Sequence, residues 1–113
     1  MNFDGAARKE GARAGVLIKP SMGEPNIFSY KLQFKCINNV VEYEALVLGL
    51  KVLKNIQCQR MRIRGDSDLI ISQVQGKYQT KNLRLTLYKN FVLELVKGFK
   101  ECKFLVIPKK ENF

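Results

Sequence analysis

CINNVVEYEALVLGL, residues 36–50, has the period of a buried helix and yet carries two carboxylates two positions apart. At 100° per residue Glu42 and Glu44 diverge by about 200°, so they cannot share a helix face. One is expected at solvated surface and the other toward a site. The apolar stripe runs through Val41, Ala45, Leu46, Gly49, Leu50 and Leu53, which extends the helix from Asn39 to near Ile56.

Upstream of this helix the period changes from helical to alternating. FSYKLQF (28–34) sets Phe28, Tyr30, Leu32 and Phe34 against Ser29, Lys31 and Gln33, the signature of a strand. AGVLIKP (14–20) is a short apolar run stopped by a proline, and the spacer with Gly23 and Pro25 joins the two as a hairpin with a longer loop. A short opening strand ends at Asp4, where Gly5 permits a sharp turn. Downstream, MRIRGD (61–66) alternates again. SDLIISQVQ (67–75) opens on helix-starting residues and stops at Gly76. Residues 82–99 carry Leu83, Leu87, Tyr88, Phe91, Leu95 and Phe99 at helical spacing, and KFLVIP (103–108) is a last strand ended by Pro108. The order β-β-β-α-β-α-α-β predicts a mixed α/β domain, a five-stranded mixed sheet with helices on both faces.

Composition narrows the function. One domain of 113 residues, 46% hydrophobic and 27% charged, is an ordinary globular chain. Its charge is not ordinary: 20 Lys and Arg against 10 Asp and Glu leave +10, the footprint of a phosphate-rich partner. Cys36, Cys58 and Cys102 are odd in number without CxxC spacing, and the chain has no His, so neither a zinc site nor a His-dependent nucleophile fits. The three thiols are expected reduced. No apolar leader or membrane-length run is visible, so an intracellular protein away from membranes is expected.

Three acids stand out by position: Asp4 and Asp66 at strand ends, and Glu42 one turn into the first helix. Strand ends and adjoining helix starts are where ligands collect in such sheets. Carboxylates converging there need a cation between them, and Mg²⁺ favours hard oxygen ligands. Singly, each acid reads equally as a cap, a turn or a solvated residue.

The matching stretches FDGA (3–6), GARAGVLI (11–18), FKCINNVVEYEALVLGL (34–50), IRGDSDLIISQVQGKY (63–78), LYKNF (87–91) and VIPKKEN (106–112) resemble, in order, a ribonuclease H domain, most similar to those of plant long-terminal-repeat retrotransposons. The resemblance covers essentially the whole chain. It implies a ribonuclease H-like fold and a two-Mg²⁺ site, with Mn²⁺ as a substitute, cutting the RNA strand of an RNA–DNA hybrid. Carried over to this chain, it makes Asp4, Glu42 and Asp66 the metal ligands, leaves Glu44 to solvent, and sets Asn38 and Asn39 against the hybrid's minor groove. The two asparagines read equally as helix N-caps.

The departures from that pattern carry their own expectations. A fourth acid follows the family's Glu-Asn pair, which matches Glu111-Asn112 here, at the start of a closing helix; residues 1–113 lack both, and the opening strand is also clipped. Ile37 stands where Thr is common. No basic helical handle follows Gly76, which leaves Lys77, Lys81, Arg84 and Lys89 as scattered phosphate contacts. Two functions follow: an impaired ribonuclease H-type nuclease, or a non-catalytic module of a ribonucleoprotein or polyprotein.

Overall fold

A computed structural model describes residues 1–8, 11–18, 26–32, 38–108 and 110, without the side chains of residues 4–8, 11–15, 26, 28–32 and 38. Five strands and three helices follow the expected order: β1 (Asn2–Arg8), β2 (Gly11–Ile18), β3 (Asn26–Leu32), α1 (Asn38–Asn55), β4 (Arg60–Gly65), α2 (Asp68–Val74), α3 (Leu83–Val96) and β5 (Glu101–Val106). The expected loop of the second hairpin, Cys36, Ile37 and the Glu111-Asn112 pair lie outside the described residues.

The strands form one mixed sheet in the order β3-β2-β1-β4-β5. β1 and β2 pair antiparallel, as do β2 and β3, whereas β4 lies parallel to both β1 and β5. Connectivity then decides where the helices go. β3 runs parallel to β4, so β3–α1–β4 and β4–α2–α3–β5 are both parallel crossovers, and both step the same way across the sheet. Two right-handed crossovers in one direction put their helices on the same face. Helices on both faces were expected; the described helices all lie on one. On β4 Met61, Ile63 and Gly65 are buried beneath them, while Arg60, Arg62 and Arg64 are exposed on the opposite side.

α1 is the hub of the core. Val40, Val41, Tyr43, Ala45, Leu46, Val47, Leu50 and Leu53 are all buried, and the helix packs on β1, β2 and α3. Phe3, Val16 and Ile63 meet it from the sheet, and Ile70, Ile71, Leu85 and Val92 from the other helices. Removing a buried side chain of this size from water contributes about 1.5–3 kcal/mol.

The helix ends are encoded locally. Ser67 caps α2 by accepting from the Ile70 amide at 3.3 Å. Asn82 caps α3 by accepting from the Arg84 and Leu85 amides. Gly76, just past α2, has φ of 79°, a left-handed conformation that glycine adopts without a Cβ clash. No described helix is long and apolar enough to cross a membrane.

Candidate active site

Strand register places the first two acids. In the parallel β1–β4 pair, Asn2 lies opposite Arg64 and Phe3 opposite Gly65. The next position on one strand is Asp4 and on the other Asp66, and neighbouring strands lie about 4.8 Å apart. The sequence reading ended the opening strand at Asp4, but the strand does not end there. β1 continues to Arg8, with Asp4 opposite Gly15 and Gly5 opposite Ala14, so Gly5 lies in a ladder and not a turn. Antiparallel pairing with β2 holds that segment extended.

Asp66 does stand at a strand end, between Gly65 and the cap Ser67, and it is half-buried. Gly65 is needed for this junction. A Cβ there would lie 2.6 Å from Phe3 Cε1 and Cζ, so only glycine lets β4 pass this close to β1.

Glu42, half-buried, is the fifth residue of α1. Its level relative to the strands follows from Gly49, where a Cβ would overlap the Met1 side chain and come within 3.2 Å of Val16 Cγ1. Seven helical residues back from Gly49 is a rise of about 10 Å, which reaches Glu42. Three strand residues on from Met1 is also about 10 Å, which reaches Asp4. The helix starts near the level where β4 ends, so Glu42, Asp4 and Asp66 come to one level, at the carboxyl end of the β1–β4 pairing.

Asn38 and Asn39 are the first two residues of α1.

Glu44 departs from expectation. It is half-buried, not solvated, and its Oε1 accepts a hydrogen bond from the Tyr88 hydroxyl. The Tyr43 and Tyr88 rings stack beside it, centroids 5.7 Å apart at 14°. Tyr43 also donates to Gln73 Oε1 at 2.7 Å, and burial pushes its phenol up to about 12. This polar seam ties all three helices together, and nothing in the sequence pattern signalled it.

The basic candidates lie elsewhere. Lys77 follows α2, whereas Asp66 precedes it, and seven helical residues separate the two by about 10 Å. Lys77, Lys81, Arg84 and the half-buried Lys89 continue from there along the α2–α3 link and α3, away from the carboxylates. The row Arg60, Arg62 and Arg64 was missed, although strand period in RMRIRG carries its signal. Asp4, Glu42 and Asp66 are the hard oxygen donors that a Mg²⁺ site requires. Among the described residues no three acids, cysteines or histidines group as a metal site, and the Asp4 side chain is not among them.

Comparison with known proteins agrees with this architecture. A family profile described as "Reverse transcriptase-like" matches residues 2–113. Ribonuclease HI of Halobacterium salinarum is 28% identical over 112 residues, 97% of this chain but 56% of that protein, so the chain spans about half its length. The crystal structure of RNase H1 from the same archaeon superposes with a TM-score of 0.90 at 26% identity, covering 96% of this chain and 84% of that one. LC11-RNase H1, solved in complex with an RNA/DNA hybrid, gives 0.87 at 28% identity, over 98% and 86%. The chain belongs to the reverse-transcriptase-like family, and its fold is that of ribonuclease H.

Proposed function

We propose that this domain binds an RNA–DNA hybrid across the carboxyl end of the β1–β4 pairing and hydrolyses its RNA strand. The observation that supports this is the parallel β1–β4 register, which pairs Phe3 with Gly65, the residues immediately before Asp4 and Asp66. In this reading the three carboxylates would hold divalent metal, with Mg²⁺ first and Mn²⁺ as a substitute. Metal bound there supplies an activated water and stabilises the leaving 3′ oxygen. The chain's own part is to fix the donors: Gly65 sets the approach of the two strands, and Ser67 locks the turn after Asp66. In this reading Asn38 and Asn39, which begin α1, meet the hybrid in its minor groove, where the 2′-hydroxyl distinguishes RNA. The net charge of +10 attracts the phosphates, with Lys77, Lys81 and Arg84 as secondary contacts. The order and wording of the motifs support a retroelement origin, with a reverse transcriptase as polyprotein neighbour.

The test uses a labelled hybrid and residues 1–113, with Glu42→Gln and Asp66→Asn variants. Binding should weaken steeply as salt rises, and both variants should keep that salt slope. Three carboxylates neutralise two Mg²⁺ ions incompletely, so cleavage should be slow in Mg²⁺ and faster in the geometrically tolerant Mn²⁺, and Asp66→Asn should abolish it. Salt-independent binding, or equal cleavage by Asp66→Asn, overturns the proposal. Binding without cleavage in either metal, even after the family's downstream acidic segment is added, leaves the non-catalytic module as the function.

A further inference from the structure

α3 buries Leu85 and Val92 yet exposes a second apolar stripe at helical spacing: Leu83 at 73%, Leu87 at 61% and Phe91 at 46%. Residues four apart lie one above another, so these three form a continuous ridge about two turns long. Beside the ridge, a groove of about 340 Å³ runs between α1 and α3, with Val47 in its floor and Lys51 and Arg84 on its walls. Lys51 holds its ammonium 5.5 Å from the Phe91 ring centroid. The groove's lining carries two cations, Lys51 and Arg84, against one acid, Glu44, so the charge it presents is net positive. Soluble domains rarely expose a contiguous apolar ridge of this kind without a use for it.

We infer that this groove docks an acidic amphipathic helix of a protein partner. Such a helix lays apolar side chains at i, i+4 and i+7 against Leu87, Phe91 and Val47, while carboxylates on its flanks meet Lys51 and Arg84. A second copy of the chain fits poorly. A two-fold contact through this face brings together two net-positive linings, between molecules that each carry +10. Nucleic acid fits poorly as well, because single-stranded bases want aromatic platforms and two of the three ridge residues are leucine. The groove lies on the helices rather than at the strand ends and shares only Arg84 with the proposed hybrid contacts, so the test rests on Leu87, Phe91 and Lys51.

The probe is a fluorescein-labelled helical peptide with Leu at i, i+4 and i+7 and Glu on both flanks, titrated by anisotropy against the intact chain. The comparison peptide carries Lys in place of every Glu. The acidic peptide should bind at least tenfold more tightly than the basic one. Leu87→Ala with Phe91→Ala should weaken its binding about tenfold or more, while hybrid binding stays unchanged. Both side chains are exposed, so circular dichroism should show an intact fold; if the double variant unfolds, Leu87→Ala alone carries the measurement. Lys51→Glu should weaken the acidic peptide and strengthen the basic one. Equal binding of the two peptides, no effect of the ridge variants, or dimerisation of the free chain through this face overturns the inference.

Discussion

Replacing Gly65 by alanine adds one methyl group at the tightest point between β1 and β4. That methyl carbon would lie 2.6 Å from Cε1 and Cζ of Phe3 and 3.2 Å from Cδ1. Neither side can retreat easily. Phe3 is 1% exposed within the main core. Gly65 is paired on both flanks, to Phe3 and to Val106, and its carbonyl accepts from the Ile107 amide at 2.9 Å. Overpacking of this kind costs about 1–3 kcal/mol. For a domain of this size it lowers the melting temperature by roughly 5–15 °C, with the unfolding followed by circular dichroism. Gly98→Ala is the matched control, because its added carbon meets nothing closer than the Leu95 carbonyl at 3.4 Å. Pairing Gly65→Ala with Phe3→Leu should restore part of the loss, since the two residues touch and their effects cannot add. A Gly65→Ala chain that melts with wild type and with Gly98→Ala refutes the close-approach argument. Glycine immediately before Asp66 would then have no steric reason.

Three further outcomes test the packing and the caps. Tyr43→Phe takes away the donor to Gln73 Oε1 while Gln73 Nε2 already lacks a partner among the described residues, so a buried amide loses its hydrogen bond. Urea unfolding should show a loss of about 1–3 kcal/mol, partly recovered by adding Gln73→Leu. Asn82→Ala should cost about 1 kcal/mol by the same assay and Asn82→Ser much less, because the serine hydroxyl still accepts from the first-turn amides of α3. Stability should also fall on the alkaline side. Burial raises the Cys102 thiol from 9.0 to about 11, with Cys58 adding to the shift and the α-amino group of Met1 opposing it, and burial raises Tyr43 from 10.0 to about 12. Each folded value lies above the unfolded one. Their contribution is therefore complete below pH 9 and is lost between about 9 and 12. Cys102→Val should flatten the first part of that decline, from about 9 to 11.

Strand and helix periods in this chain are strong because most elements bury one side. That is why MRIRG was legible, its buried Met61 and Ile63 alternating with exposed arginines, along with Ser67 and Gly76 as punctuation. The reading of β1 as a stub ending at Asp4 failed for a related reason. FDGAAR holds small and charged residues with no alternation, and pairing with β2 along its full length keeps it extended. β3 begins at Asn26, two residues before the expected start at Phe28, and the expected Gln33 and Phe34 lie outside the described residues. The face on which the helices sit was not legible at all. It depends on strand order, in which the steps from β3 to β4 and from β4 to β5 run the same way across the sheet. The pairing of Phe3 with Gly65, each just before an aspartate, was invisible for the same reason: it is a property of parallel register, with no local signal in either motif.

Glu42 and Glu44 sharpen the point, because the choice between solvent and site was too narrow for them. Buried residues Val40, Val41, Tyr43, Ala45, Leu46 and Val47 occupy nearly every direction around the first half of α1. A helix buried on so many sides has little outer face to give away. Two acids 200° apart on it therefore cannot both reach open solvent, and both end up half-buried. A half-buried carboxylate needs polar company. Glu44 finds it in a hydroxyl from α3, on a residue 44 positions along the chain, which no helical-wheel argument could locate. Glu42, on the other side, sits where the helix begins and β4 ends, the level at which a cation among the carboxylates would add to its contacts. The same pressure thus gives one glutamate a place in the packing and the other a place at the proposed active site. Helical spacing alone, without the strands and α3 around it, could not tell the two acids apart.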